Sequence, residues 1–180
     1  GRFDNVITGM EIERMINASG PTQGHVVKPS DGEAPKRVAF IHCVGSRDEK
    51  VGNIYCSKVC CVPAVKQAME LRDFFPEAEI FCFYMDLRMY GKHFEELYRE
   101  AQEKYDIQFI RGRLYEASEK IDKSLLIKAE DTLSGRPLKM NVDLLVFLVG
   151  LEAGKGTASA AYSCGVNCEE SGFLKSMDSL

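Results

Sequence analysis

Apolar residues fall along this chain in two different rhythms, and the boundary between them divides it. Up to about residue 110, continuous apolar runs of strand length alternate with segments whose apolar positions recur at helical spacing. Val6, Ile7, Met10, Ile12, Met15 and Ile16 predict a short amphipathic helix over 4–18, with Thr8 and Glu11 in capping-box register. Residues 37–43 predict a buried strand. Pro63 is tolerated only in the first turn of a helix, so the next helix starts near Cys61 and runs to about Phe74. A second strand follows at 79–85, a second helix at 93–105 and a third strand at 107–110.

After residue 112 the rhythm changes. Residues 113–117, 124–129 and 137–142 are short alternating segments parted by polar turns, with Ser134-Gly135 in the last of them; this is the pattern of an antiparallel meander. Residues 143–149 return to an unbroken apolar run, the mark of a strand buried on both faces. Residues 150–165 read as loop, and 172–175 as a last short strand. The order β-α-β-α-β, meander, β predicts an α/β fold: a small three-layer Rossmann-like domain. Its central parallel sheet carries helices on one side and the antiparallel β-meander on the other.

The Gly- and Pro-rich stretch 19–36 reads as a linker. Three parts follow: a helix and linker at 1–36, the Rossmann-like domain at 37–150, and a tail at 151–180. The chain begins Gly-Arg-Phe and reads as a piece of a longer protein. A composition 45% hydrophobic and 28% charged allows a packed core. A net charge of −4 argues against nucleic acid as the main partner, and no apolar run reaches transmembrane length.

Chemistry is concentrated at 43–61, where four of the seven cysteines fall within nineteen residues: Cys43, Cys56, Cys60 and Cys61. The first ends the strand and the last opens the helix, which is where an α/β domain usually holds its ligand. Seven is an odd number and the spacing is clustered, so a secreted disulfide scaffold is disfavoured. A metal or cluster site, a redox disulfide and inert buried thiols all remain open on spacing alone. Zinc usually takes two Cys-x-x-Cys knuckles, which are absent here. Cys82 falls in a buried strand and reads as core, whereas Cys164 and Cys168 form a Cys-x-x-x-Cys pair that reads as incidental or labile. Strand alternation sets His42 on the face opposite Cys43. Arg47, Asp48 and Lys66 read as solvated on spacing alone.

The element order resembles the pyridine-nucleotide domain of thioredoxin-reductase-like flavoproteins. Those have Gly-x-Gly-x-x-Gly after the first strand, where this chain has Cys43-Val-Gly45-Ser, an insertion, and Cys56-x-x-x-Cys60-Cys61. Together, Cys-Val-Gly-Ser-Arg-Asp at 43–48 and Tyr-Cys-Ser-Lys-Val-Cys-Cys at 55–61 resemble the family of the heterodisulfide reductase A subunit, as does Ser-Gly-Pro-Thr at 19–22. The resemblance implies an oxidoreductase fragment, without catalytic side chains of its own, in which Cys43, Cys56, Cys60 and Cys61 hold a [4Fe–4S] cluster. It places Lys66 near the FAD of the full-length protein, and residues 1–36 and 151–180 against the flavin domain. It also implies a cytoplasmic complex with other heterodisulfide-reductase-type subunits and with hydrogenase- or ferredoxin-type electron carriers. The alternatives are an NAD(P)H-binding domain, which the thiol-filled loop argues against, and a zinc-stabilised interaction module.

Overall fold

The computed structural model describes residues 2–176. Its main sheet has five parallel strands: β1 (Val6–Thr8), β2 (Arg37–Val44), β3 (Glu79–Tyr84), β4 (Gln108–Arg111) and β8 (Leu144–Val149), in the spatial order β1-β8-β2-β3-β4. The remaining three, β5 (Leu114–Glu119), β6 (Leu125–Asp131) and β7 (Arg136–Val142), form the antiparallel meander.

Side-chain alternation along β2 and β3 sorts the core into two layers. Val38, Phe40, Ile80 and Cys82 face α2 (Cys61–Phe74), packing with Ala64, Val65, Ala68 and Leu71. On the other face Ala39, Ile41, Phe81 and Phe83 meet Leu125, Ile127, Ala129 and Val142 of the meander. The uninterrupted apolar runs of β2 and β8 are thus explained: both faces of these strands are covered. Helix α3 (Phe94–Glu103) packs beside α2 through Ala101 and Leu97.

Three expectations are corrected. The amphipathic segment at 4–18 is a strand and then a helix. Val6–Thr8 pairs in parallel with Leu145–Phe147, and α1 begins only at Gly9, ending at Ile16. The Thr8–Glu11 capping box is present and marks that switch, because an N-cap residue has extended backbone and so can also end a strand. Residues 150–165 are not all loop: Thr157–Cys164 forms α4, closed by Gly165 in the left-handed conformation. Residues 172–175 make no strand; a single bridge joins Cys168 to Leu174.

Candidate metal centre

The site is built at the C-terminal edge of β2. Cys43 has φ +59°, a left-handed conformation costing roughly 1–3 kcal/mol in a residue other than glycine. It coincides with a register shift against β8 between Ile41 and Val44. This bulge corrects the expectation for His42. In regular alternation His42 follows Val38 and Phe40 onto the helix side, and Cys43 would turn toward the meander. The extra residue breaks the pleat, so that Cys43 also joins the core layer facing α2. Both side chains therefore lie on the same side of the sheet.

Across from them, α2 starts at Cys60 and Cys61. Cys43, Cys60 and Cys61 are 5%, 4% and 2% exposed. The thiols of Cys43 and Cys61 stand close to the Cys60 sulfur, and Cys61 Sγ lies 3.9 Å from the Asp86 carbonyl. Three facing thiols cannot all ionise. The neighbouring Cys43 and Cys61 thiols hold the Cys60 thiol far below its ordinary value, and the proximity of Cys60, together with burial, pushes Cys43 and Cys61 up. Cys56 is half-buried on the overlying loop, near enough for its charge to bear on Cys43 and Cys61.

Backbone groups point at these sulfurs. The Arg88 N–H donates to Cys61 Sγ at 3.4 Å, and the Lys58 N–H donates to Cys56 Sγ at 3.4 Å. No side chain caps α2, and its first turn holds no acidic residue. Its positive dipole end thus faces the thiols without a counter-charge from its own sequence.

The loop from 45 to 60 is tied together rather than loose. Ser46, 1% exposed, donates from its hydroxyl to the Tyr55 carbonyl at 2.9 Å and accepts from the Ser57 N–H at 3.1 Å. Asp48 and Asn53 pair through their backbones, and the Asp48 side chain accepts from the Lys50 N–H. Arg47 and Asp48 do not pair with each other: Arg47 meets Asp86 at 2.8 Å and Asp48 meets Arg113 at 3.5 Å. Gly150, at the start of the segment that reads from sequence as loop, presses on this loop. A Cβ there would stand 2.9 Å from Ser46 Cβ and from Ser57 Oγ.

His42 was not legible as a site residue. One of its ring nitrogens and the sulfurs of Cys60 and Cys61 lie within 4.8 Å of one another. Burial lowers its pKa to about 4 against the opposing charge of Cys60. Among the described residues, neither ring nitrogen has a hydrogen-bond partner, a condition that costs roughly 1–3 kcal/mol for each group left unsatisfied. A buried thiol set with an orphaned imidazole beside it suits a thiophilic metal or an iron–sulfur centre.

Beside the thiols lies an apolar groove of about 540 Å³, lined by Met10, Val59, Cys60, Val62, Leu148 and Leu151, with Lys66 and Gln67 in its wall. Lys66 donates to Glu13 at 2.6 Å and pairs with Glu70 at 3.0 Å. Desolvation works against the ammonium, but the bonds to Glu13 and Glu70 outweigh it and hold its pKa above the usual value. Buried Gln67 donates to the Gly9 carbonyl and to Glu13, and its own carbonyl oxygen has no partner among the described residues. Cys82 lies within β3, buried and apart from this centre, its thiol pushed up by desolvation alone. Cys164 is exposed and Cys168 half-buried, both as free thiols.

The fold has counterparts among solved structures. The chain aligns with thioredoxin reductase from T. acidophilum at TM-score 0.50 and 14% identity, covering 95% of this chain and 43% of that one. It aligns with L-lysine 6-monooxygenase from Pseudomonas syringae at 0.51 and 10%, covering 94% and 46%. The fold is that of thioredoxin-reductase-like α/β flavoproteins. No family model matches the chain.

Sequence similarity is more specific. The chain is 53% identical over 174 residues to the A subunit of the H(2):CoB-CoM heterodisulfide,ferredoxin reductase of Methanothermobacter thermautotrophicus, covering 97% of this chain and 26% of the relative. It is 49% identical over 180 residues to the A subunit of the H(2)/formate:CoB-CoM heterodisulfide,ferredoxin reductase of Methanococcus maripaludis, covering 98% and 27%. Against the iron-sulfur A subunit of the CoB–CoM heterodisulfide reductase of Methanocaldococcus jannaschii it is 46% identical over 180 residues, again covering 98% and 27%. The chain is thus a homologue of the heterodisulfide reductase A subunit along nearly its whole length, and it spans about a quarter of the length of these relatives.

Proposed function

We propose that this chain is an electron-transfer module of an oxidoreductase of the heterodisulfide reductase A-subunit type, in which Cys43, Cys56, Cys60 and Cys61 hold a [4Fe–4S] cluster beside a flavin. The observation that carries this reading is three buried thiols gathered on an uncapped helix N-terminus, with a fourth on the loop above. The naming of relatives as iron-sulfur subunits supports it. When bound, such a cluster takes up and gives back single electrons.

The chain's own residues make a negative centre tolerable there. The Arg88 and Lys58 N–H groups donate to the sulfurs of Cys61 and Cys56, and the dipole of α2 adds positive potential. Each raises the reduction potential above that of an unsupported site. Covered on both faces, the sheet edge limits access of water to Cys43, Cys60 and Cys61.

In the longer protein, the apolar groove is the place for part of an FAD, with Lys66 as a cation near its ring. Residues 1–36 and 151–180 are the passages to the flavin domain, which supplies the rest of that site. The module serves a cytoplasmic complex of heterodisulfide-reductase-type subunits exchanging electrons with hydrogenase- or ferredoxin-type carriers. The names of the relatives point to those partners. Among the described residues, no helix is long and apolar enough to cross a membrane.

A zinc site is the second reading, favoured by the proximity of His42, Cys60 and Cys61. Iron, zinc and acid-labile sulfide analysis of the anaerobically purified protein separates the two. The cluster reading expects about four irons and four sulfides per chain; zinc without sulfide overturns it. A calorimetric titration with NADH and NADPH tests the nicotinamide alternative, and micromolar binding would establish that function instead.

A further inference from the structure

The bulge at the end of β2 aims an unpartnered imidazole at the thiols. His42 is 6% exposed, and among the described residues neither of its ring nitrogens finds a donor or acceptor. The preceding residue on the same face, Phe40, shows that the strand accepts a purely apolar side chain in this layer. An apolar residue at 42 would avoid the cost of the orphaned nitrogens, so their missing partner calls for an explanation. The sulfur-rich group within reach is the one formed by Cys60 and Cys61, less than 4.8 Å away. An imidazole keeps an N–H in either state of charge.

We infer that His42 donates a hydrogen bond to a sulfur of the inorganic centre and stabilises its reduced, more negative form. The inference rests on the cluster reading given above. It assigns His42 as a tuning residue rather than a ligand, and leaves the four cysteines to hold the iron. Hydrogen bonds to cluster sulfurs are among the levers a protein has on potential.

The test is a redox titration, followed by electron paramagnetic resonance, of anaerobically reconstituted wild type, His42→Phe and His42→Gln. His42→Phe should keep its iron and sulfide and shift the reduction equilibrium about tenfold toward the oxidised form, about 59 mV lower for one electron. His42→Gln, which restores an N–H donor, should recover much of that shift. In wild type labelled with ¹⁵N-histidine, a weak nitrogen coupling to the reduced centre should appear, which needs no substitution to fold.

Unchanged potential in His42→Phe with full iron content overturns the inference. So does iron loss or conversion to a three-iron spectrum in that variant, or a strong directly bonded nitrogen coupling, since each makes His42 a ligand. A wild type that takes up no iron and sulfide refutes the cluster reading itself, before any variant is compared.

Discussion

Two crossovers in this sheet have the same construction and opposite electrostatics. The first runs from β2 to α2 and the second from β3 to α3. Each leaves the C-terminal end of a parallel strand and enters a helix whose N-terminus lacks a side-chain cap. In α3 the sequence answers the helix dipole itself, with Glu95 and Glu96 in the first turn. In α2 no acidic residue stands there, and Cys60 and Cys61 occupy the place. One helix end is neutralised by its own carboxylates, and the other stays positive. The second crossover also serves the first: the Arg88 N–H and the Asp86 carbonyl close over Cys61, and the Asp86 carboxylate pairs with Arg47. Topology makes the sites, and the charge of one helical turn decides which of them can accept an anion.

The comparison breaks most completely at the thiols. Replacing Cys43, Cys56, Cys60 or Cys61 by Ala should abolish or convert the iron–sulfur spectrum after anaerobic reconstitution. Cys82→Ala, in β3 of the other crossover, should leave it intact. A spectrum that needs Cys82 and not Cys43 would refute the assignment.

Gly150→Ala comes next. The added methyl meets Ser46 and Ser57 at distances that force a shift, so the loop carrying Cys56 must move. Overpacking of this kind costs about 1–3 kcal/mol. Chemical denaturation should show that loss, and iron content should fall with it.

A double Glu95→Gln, Glu96→Gln variant sharpens the contrast. Removing the acids from α3 should lower stability by about 1 kcal/mol at low ionic strength, with the deficit shrinking as salt is added. The iron–sulfur spectrum should not change.

The smallest effect concerns Glu13, whose carboxyl lies below its ordinary value of 4.5 because Lys66 and Gln67 donate to it. A carboxylate depressed in the folded state contributes at neutral pH. That contribution fades as pH falls, since the unfolded chain takes up the proton first. Glu13 is 44% exposed, so Glu13→Gln should cost no more than about 1 kcal/mol at pH 7. The difference from wild type should close as the pH drops through the folded-state value in urea titrations at stepped pH.

Much of this architecture was legible because strong local rules agree. Pro63 fixed where α2 begins, and the apolar runs at 37–43 and 143–149 announced strands covered on both faces. Helix α4 was missed because its Ala- and Ser-rich sequence has little apolar periodicity to read. Strand β1 was missed because three residues cannot establish a period, and its partner β8 lies far along the chain. The cysteines stood out by spacing, but His42 did not. Alternation is reliable only in a regular strand, and the left-handed turn at Cys43 is a local event that no pattern of residue types announces. The role of Gly150 depends on a contact with residues about a hundred positions away, which is likewise invisible in a linear reading.

The position of β8 also sets a timetable for assembly. Of the five strands of this sheet it is the last to leave the ribosome, yet it lies between β1 and β2, the first two of the five. Until residues 144–149 have emerged, β1 has no neighbour to pair with and β2 presents an open edge where the thiols will gather. Closing that gap requires contacts across more than a hundred residues, the slow kind of event in folding. The gathering of Cys43 with Cys60 and Cys61 is therefore tied to completion of the sheet, and residues 37–112 alone cannot complete it.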